Sequence, residues 1–173
     1  MFLTFMRSLS PRITWGLVAL AWFAMFAFGL YLQHVVGLEP CPMCIVQRYA
    51  MTGVAIIALV ALFWHQGWRG HVMAALASVL SLGGAFVAAR QSWLQWYPPE
   101  VLSCGRDFYG MVESFPLQRA IPMIFRGGGD CSKVDWTFLG GSIANWSFLA
   151  FMATAVWLLV FAVLRYKDRI QSQ

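Results

Sequence analysis

The sequence has few charged residues. Asp, Glu, Lys and Arg make up 11% of the 173 positions, whereas 60% of the positions are apolar. A soluble domain carries about 25% charged residues, and one core of this size cannot bury so much apolar surface. The composition therefore argues against a soluble protein and favours an integral membrane protein.

The sequence also lacks a cluster of basic residues. The net charge is +5, but the Lys and Arg residues are scattered along the chain and form no stripe. A nucleic-acid-binding domain concentrates such residues on one face. Nucleic acid is therefore excluded as a partner, and the lipid bilayer is the expected surroundings.

Charged residues are absent from four long stretches, each about the 20 residues that a membrane-spanning helix needs. The first stretch is too long for the apolar part of a signal peptide and further stretches follow it, so we expect a retained helix. The predicted fold is all-α, an antiparallel four-helix bundle in one membrane domain over 1–173. The predicted helices are 13–33, 44–64, 71–91 and 144–165, with a long outer loop over about 92–143.

The basic residues predict the orientation of the helices. Arg7 and Arg12 precede the first helix, Arg69 lies between the second and third, and Arg165 follows the fourth. These sites share one side if the helices alternate, and a basic excess marks the cytoplasmic side. Both termini are therefore predicted to be cytoplasmic, in a multi-pass inner-membrane protein whose 34–43 segment and long loop face the periplasm.

All four cysteines lie in or beside the two outward-facing loops: Cys41, Cys44, Cys104 and Cys131. Outside the cytosol disulfides form and persist. An even count of four fits two disulfides or one four-ligand metal site.

The segment Cys41-Pro-Met-Cys44 opens the second predicted helix. Proline suits the first helical position, so Cys44 should fall in the first turn, where the helix N-terminus favours a thiolate. Arg48 follows four residues later on the same helical face, and its positive charge would favour the thiolate further. This pattern is typical of a redox-active pair.

Other interpretations of these residues are structural. The pair could be a structural disulfide, although so small a loop gives little stabilisation. The four cysteines could bind zinc, but Cys104 and Cys131 lack the second short spacing of a zinc ribbon. Covalent haem attachment would need a histidine directly after Cys44, where this chain has Ile45. Arg48 has a structural interpretation as well, as an anchor to lipid head groups or as an ion-pair partner of Glu39.

Cys104 and Cys131 in the long loop also have two interpretations. A disulfide between them would stabilise the loop by roughly 3–4 kcal/mol in the chain-entropy model. However, Gly127, Gly128 and Gly129 directly precede Cys131 and its neighbour Asp130, which favours a mobile cysteine. Two cysteine pairs on one side of the membrane then suggest a thiol relay.

The whole pattern resembles the disulfide bond formation protein B (DsbB) family. The resemblance covers nearly the whole chain and includes the segments "PCPMCIVQR", "WLQWYPPE" and "GDCSKVDWTFLG". It implies a protein-disulfide oxidoreductase that supports disulfide bond formation in exported proteins. The electrons released by that reaction pass to a membrane quinone, ubiquinone or menaquinone. The implied partner is a periplasmic thioredoxin-like dithiol oxidase of the DsbA type.

The resemblance also implies roles for individual residues. The partner's thiolate attacks Cys104 and releases Cys131, which reaches Cys41. Cys44 faces the bound quinone, and Arg48 helps to bind the quinone. Some relatives carry a histidine where this chain has Gln91, which can hydrogen-bond a quinone oxygen but does not titrate near neutral pH. Gln91 is therefore not among the predicted site residues, and no metal is expected.

Three rival functions make different predictions. A vitamin K epoxide reductase-like enzyme would carry its loop cysteines before the Cys-x-x-Cys pair, the reverse of the order here. A membrane scaffold or transporter with structural disulfides would carry polar groups within its spans, and the four stretches that define the spans hold no charged residue. A metal-binding membrane protein would retain metal on purification.

Overall fold

The computed structural model describes residues 8–98, 122, 124–125 and 129–171. Within these residues the chain forms four long helices, each apolar enough to cross a membrane. The predicted all-α class with four membrane helices is thus confirmed. The helices are α1 (Pro11–His34), α2 (Pro42–Trp64), α3 (Trp68–Trp96) and α4 (Ile143–Gln171).

Two helices extend further than the sequence predicted. Helix α3 runs to Trp96, a few residues past the approximate end predicted near residue 91. Arg90 lies within the helix, and its Nε donates to the carbonyl of Phe125 at 3.3 Å. Helix α4 runs to Gln171 instead of 165. A charge-free stretch measures the apolar part of a helix and not its full length.

The first two helices begin in the way the sequence dictates. Ser10 caps α1, its hydroxyl accepting from the amide of Ile13 at 3.3 Å. Cys41 caps α2 with extended backbone, and Pro42 takes the first helical position. A proline at that position loses no hydrogen bond, because its amide would have had no partner within the helix.

A tight turn joins α2 to α3 and requires glycine. Gly67 has a φ of 66°, in the left-handed region that glycine adopts without strain. A Cβ atom on Gly70 would lie 2.4 Å from the carbonyl oxygen of His65, closer than atoms can approach. The short connection makes α2 and α3 antiparallel neighbours.

Small residues allow the central helices to pack closely. Helix α3 packs against both α2 and α4, and α2 packs against α1. The buried positions in the half of the bundle away from the cysteines are largely alanine, with one tryptophan and one leucine: Trp15, Ala19, Ala58, Ala61, Ala74, Ala77 and Leu158. Small side chains let helices approach closely, which strengthens van der Waals packing within a membrane.

Helices α1 and α4 meet mainly through side chains. The rings of Trp22 and Phe151 lie 4.5 Å apart between them, and both residues are buried. Near the other end of the bundle, Arg165 donates to the carbonyl of Leu9 at 2.6 Å. The start of α1 and the end of α4 therefore lie together, at the opposite end from Cys41.

The segment before α4 contains a short helix, Gly129–Ser132, and a small hairpin. Strand β1 (Thr137–Phe138) pairs antiparallel with β2 (Gly141–Ser142). The turn residues Leu139 and Gly140 have φ values of 50° and 79°, as a two-residue type I′ turn needs. The sequence prediction had only a loop here.

Candidate functional site

The Cys41–Cys44 pair lies at the N-terminus of α2. As the cap of the helix, the Cys41 sulfur accepts from the amide of Cys44 at 3.4 Å. The two Sγ atoms lie 3.0 Å apart. Cys41 is buried and Cys44 is partly exposed. The helix start therefore holds the two sulfurs close enough for a small movement to form or break a disulfide.

Cys131 lies beside this pair. It belongs to the short helix Gly129–Ser132, has no exposed surface and packs in one cluster with Cys41, Met43 and Leu94. Its side chain forms a hydrogen bond with Cys41. That bond, a second one with Cys44, and burial raise the pKa of Cys41, so Cys41 keeps its proton at neutral pH. Cys104, the fourth predicted site cysteine, lies outside the described residues.

Side chains of α3 hold the chain on both sides of Cys131. Before it, the carbonyl of Phe125 accepts from Arg90 at 3.3 Å. After it, the carbonyl of Lys133 accepts from Nε2 of Gln95 at 3.5 Å. The Gln95 oxygen in turn accepts from the hydroxyl of Ser142 at 2.6 Å. These contacts place the Cys131 segment against α3 and next to the N-terminus of α2.

Two buried amides complete the surroundings of the sulfurs. Gln91 lies in the last third of α3, and its Nε2 is 3.2 Å from Cys44 Sγ and 3.4 Å from Cys41 Sγ. Gln47, one helical turn after Cys44, donates its Nε2 to the Gln91 oxygen at 2.6 Å. The sequence analysis left Gln91 out of the site and gave Gln47 no role. The sequence did contain an indication of their importance, since each is a polar residue within a largely apolar helix.

Arg48 points from α2 toward α1. Its Nη2 donates to the carbonyl of Gly29 at 3.0 Å, and its Nη1 donates to the side-chain oxygen of Gln33. A Cβ on Gly29 would lie 3.8 Å from Arg48 Nε, an ordinary van der Waals contact, so the guanidinium packs directly over this position of α1. The guanidinium is thus held inside the bundle by two acceptors, the Gly29 carbonyl and the Gln33 side-chain oxygen.

A cavity of about 750 Å³ brings these residues together. Residues of all four long helices line it, including Cys44, Gln91 and Arg48, and the helix cap Cys41 lines it too. The remaining lining is mostly apolar and includes the aromatic residues Phe28, Trp136, Phe138 and Trp146. Ligand cavities of this size, apolar with a few convergent polar groups, suit a flat organic molecule.

The aromatic residues of the cavity form a chain at its outer edge. The ring centroids of Phe28 and Trp136 lie 5.7 Å apart, and Phe138 lies 6.1 Å from both Trp136 and Trp146. Phe28 belongs to α1 and Trp146 to α4, so the chain bridges the two helices that have few direct contacts. Within the described part of the chain, no group of three His, Cys, Asp or Glu could hold a metal ion.

Comparisons with known proteins agree on one family. The family model for disulfide bond formation protein DsbB matches residues 11–161. The chain is 65% identical over 152 residues to disulfide bond formation protein B of Paracidovorax citrulli, covering 87% of this chain and 86% of that protein. It is 70% identical over 144 residues to the protein of that name from Albidiferax ferrireducens, covering 82% of each. With that of Polaromonas naphthalenivorans it shares 69% identity over 144 residues, 82% of this chain and 85% of the other.

Proposed function

The chain belongs to the disulfide bond formation protein DsbB family, and we propose that it oxidises a periplasmic thioredoxin-like dithiol oxidase of the DsbA type and passes the electrons to a membrane quinone. The observation that carries this proposal is the position of the Cys41–Cys44 pair. Cys41 contacts the thiol of Cys131, and both Cys41 and Cys44 line the cavity. One pair of sulfurs thus adjoins both Cys131 and a cavity that could hold an electron acceptor.

The electrons move by thiol–disulfide exchange. A partner thiolate attacks Cys104 of the Cys104–Cys131 disulfide and releases Cys131 as a thiolate. Cys131 attacks Cys41, which breaks the Cys41–Cys44 disulfide and releases Cys44. The second partner thiol then displaces Cys104, and Cys104 displaces Cys41 from Cys131. The partner leaves oxidised, and two electrons remain on Cys41 and Cys44 as a reduced pair.

The contact between Cys41 and Cys131 supports the middle exchange. A thiolate must approach the disulfide sulfur that it attacks, and the other sulfur of that disulfide leaves. Both sulfurs of the pair line the cavity, but Cys41 is the one that hydrogen-bonds to Cys131, and Cys44 is the more exposed of the two. Attack on Cys41 therefore releases Cys44, the more exposed sulfur at the cavity.

The residues of the cavity fit a quinone. The aromatic residues Phe28, Trp136 and Trp146 offer flat apolar faces, and Arg48 and Gln91 offer donors for carbonyl oxygens. A bound quinone, ubiquinone or menaquinone, supplies an acceptor for two electrons and two protons. Such an acceptor is needed because a partner with a potential of about −120 mV is more oxidising than the glutathione pools.

The proposed orientation places both termini in the cytoplasm of a bacterial inner-membrane protein. The Lys and Arg bias supports it, since Arg12, Arg69 and Arg165 lie at the bundle end opposite the cysteines. Cys41, Cys44, Cys104 and Cys131 then face the periplasm, where disulfides persist.

A coupled assay tests the proposed function. Purified protein in detergent is mixed with a reduced thioredoxin-like dithiol oxidase and a soluble quinone, and quinone absorbance is followed. We expect quinone reduction in stoichiometric balance with oxidation of the partner, and none by the Cys44→Ser variant. Partner oxidation without quinone reduction would contradict the assigned acceptor. Equal turnover by Cys44→Ser would contradict the assigned site.

A further inference from the structure

Two buried amides next to the redox cysteines have no part in the exchange described above. Gln47 and Gln91 are 3% and 4% exposed. Burying an amide is unfavourable unless its donors and acceptors find partners. The partners that these two amides find are each other and the two sulfurs.

The Gln91 amide has one orientation in the structure. Gln47 Nε2 donates to the Gln91 oxygen at 2.6 Å, and the longer contact of that oxygen, from Cys44 Sγ, is 3.7 Å, so the oxygen is turned toward Gln47. The nitrogen of the same amide is then turned toward the sulfurs, at 3.2 Å from Cys44 and 3.4 Å from Cys41. With the Gln47 amide held as it is, rotating the Gln91 amide by half a turn would bring its two donors against the donating nitrogen of Gln47.

The orientation matters because the sulfurs change charge during thiol exchange. An N–H donor stabilises a thiolate, whereas a carbonyl oxygen near the sulfur favours the protonated thiol. A glutamine amide does not titrate, so the donor is present at every pH at which the protein folds.

We propose that Gln91 is a hydrogen-bond donor to the reacting sulfurs of Cys41 and Cys44, and that Gln47 is a positioning residue that holds the Gln91 amide in its donating orientation. This inference rests on the proposed redox function of the Cys41–Cys44 pair. It adds two neutral residues to a site otherwise built from cysteines and an arginine.

Two kinds of variant separate the donor from simple space filling. Gln91→Met keeps the length of the side chain but removes the donor. Gln47→Glu as a carboxylate can only accept, so it draws the Gln91 nitrogen away from the sulfurs and turns the Gln91 oxygen toward them. Gln47→Met removes the restraint without adding charge and serves if the glutamate variant does not fold. Ser92→Ala is the matched control, because Ser92 is a buried polar neighbour of Gln91 in the chain and its hydroxyl has no hydrogen-bond partner among the described residues.

The measurement is the rate at which iodoacetamide alkylates Cys44 in the reduced full-length protein, followed by peptide mass spectrometry. The other titratable or charged groups around the sulfurs are the same in every variant: Cys131 beside the pair, and Glu39, Arg48, Lys133 and Asp135 in the cavity lining. At pH 7 we expect about tenfold slower alkylation in Gln91→Met and Gln47→Glu, as for the loss of one hydrogen bond to a charged sulfur. A smaller decrease is expected in Gln47→Met. At pH 10, where the thiolate forms without help, all rates should approach that of the wild type.

Three results would overturn the inference. The first is an unchanged rate at pH 7 in Gln91→Met. The second is equal slowing at pH 7 and pH 10, which would indicate altered access to the sulfur. The third is equal slowing in Ser92→Ala, which would indicate a general packing effect. Because the alkylation needs neither quinone nor partner, its outcome is independent of the coupled assay, and failure of the proposed function would appear only in that assay.

Discussion

Arg48 of α2 donates a hydrogen bond to the main-chain carbonyl of Gly29 in α1 at 3.0 Å. A second nitrogen of the same guanidinium binds the side chain of Gln33. The arginine therefore links two helices at the wall of the cavity that also contains Cys44. A charged side chain inside an apolar helix is unfavourable unless it has partners or a function, and Arg48 has partners in α1 and a place at the cavity.

The geometry of Arg48 predicts that lysine cannot replace it. A lysine has one ammonium group and cannot reproduce the planar fork that reaches Gly29 and Gln33 together. We expect Arg48→Lys to raise the apparent KM for quinone about tenfold, and Arg48→Ala to raise it more, as charged hydrogen bonds are lost. Steady-state quinone reduction over a range of quinone concentrations gives these values.

Thr52→Ala is the matched control for Arg48. The Thr52 hydroxyl donates to the main-chain carbonyl of Arg48 at 2.9 Å and leaves the guanidinium alone, so its KM should not change. Wild-type kinetics in Arg48→Ala would contradict a role in quinone binding and would leave Arg48 only a structural role as a membrane anchor.

The sequence was sufficient to predict the elements that local patterns determine. Charge-free stretches marked the four helices, because lipid excludes charged side chains over a fixed thickness. Pro42 and the cysteine spacing predicted the start of α2 and the first-turn position of Cys44, because those features depend on neighbouring residues only.

Features that depend on distant parts of the chain could not be predicted in this way. The contact between Cys131 and Cys41 joins residues that are far apart in sequence, and the Arg90 and Gln95 bonds that support it are equally distant. The same holds for the Gln47–Gln91 bond, which crosses from α2 to α3. Polar residues in apolar helices indicate that such partners exist but do not identify them.

Cys104 is predicted to be required for the reaction with the partner protein and not for quinone binding. Cys104→Ser should abolish oxidation of the thioredoxin-like partner, because it removes the loop disulfide that the partner thiolate attacks. Bound quinone should be retained, since Cys41, Cys44 and Arg48 are unchanged. The measurements are partner oxidation by thiol titration and quinone content after purification. Full turnover of the partner by this variant would show that the Cys104–Cys131 disulfide only stabilises the loop.

Neighbouring glycines in α3 predict opposite effects on stability. A Cβ on Gly84 would lie 2.5 Å from two ring atoms of Phe151, which is fully buried and packed against Trp22. Gly84→Ala should therefore destabilise the protein by about 1–3 kcal/mol through overpacking. A Cβ on Gly83 meets nothing within 4 Å, so Gly83→Ala should be neutral or stabilising by up to about 1 kcal/mol.

The two alanine variants are compared by thermal unfolding in the same detergent. The midpoint of Gly84→Ala should fall below that of the wild type, and the midpoint of Gly83→Ala should not. Equal midpoints for the two variants would contradict the packing of Phe151 against Gly84.

The central claim is that Cys131 attacks Cys41 of the Cys41–Cys44 disulfide and thereby releases Cys44 at the cavity. Its most direct test is disulfide trapping in membranes, using a Cys44→Ser/Cys104→Ser double variant that retains only Cys41 and Cys131. Mild oxidation followed by peptide mass spectrometry should identify a Cys41–Cys131 disulfide in most molecules. The matched Cys41→Ser/Cys104→Ser variant, which retains Cys44 and Cys131, should form far less. Equal or preferential trapping of Cys44 with Cys131 would contradict the relay.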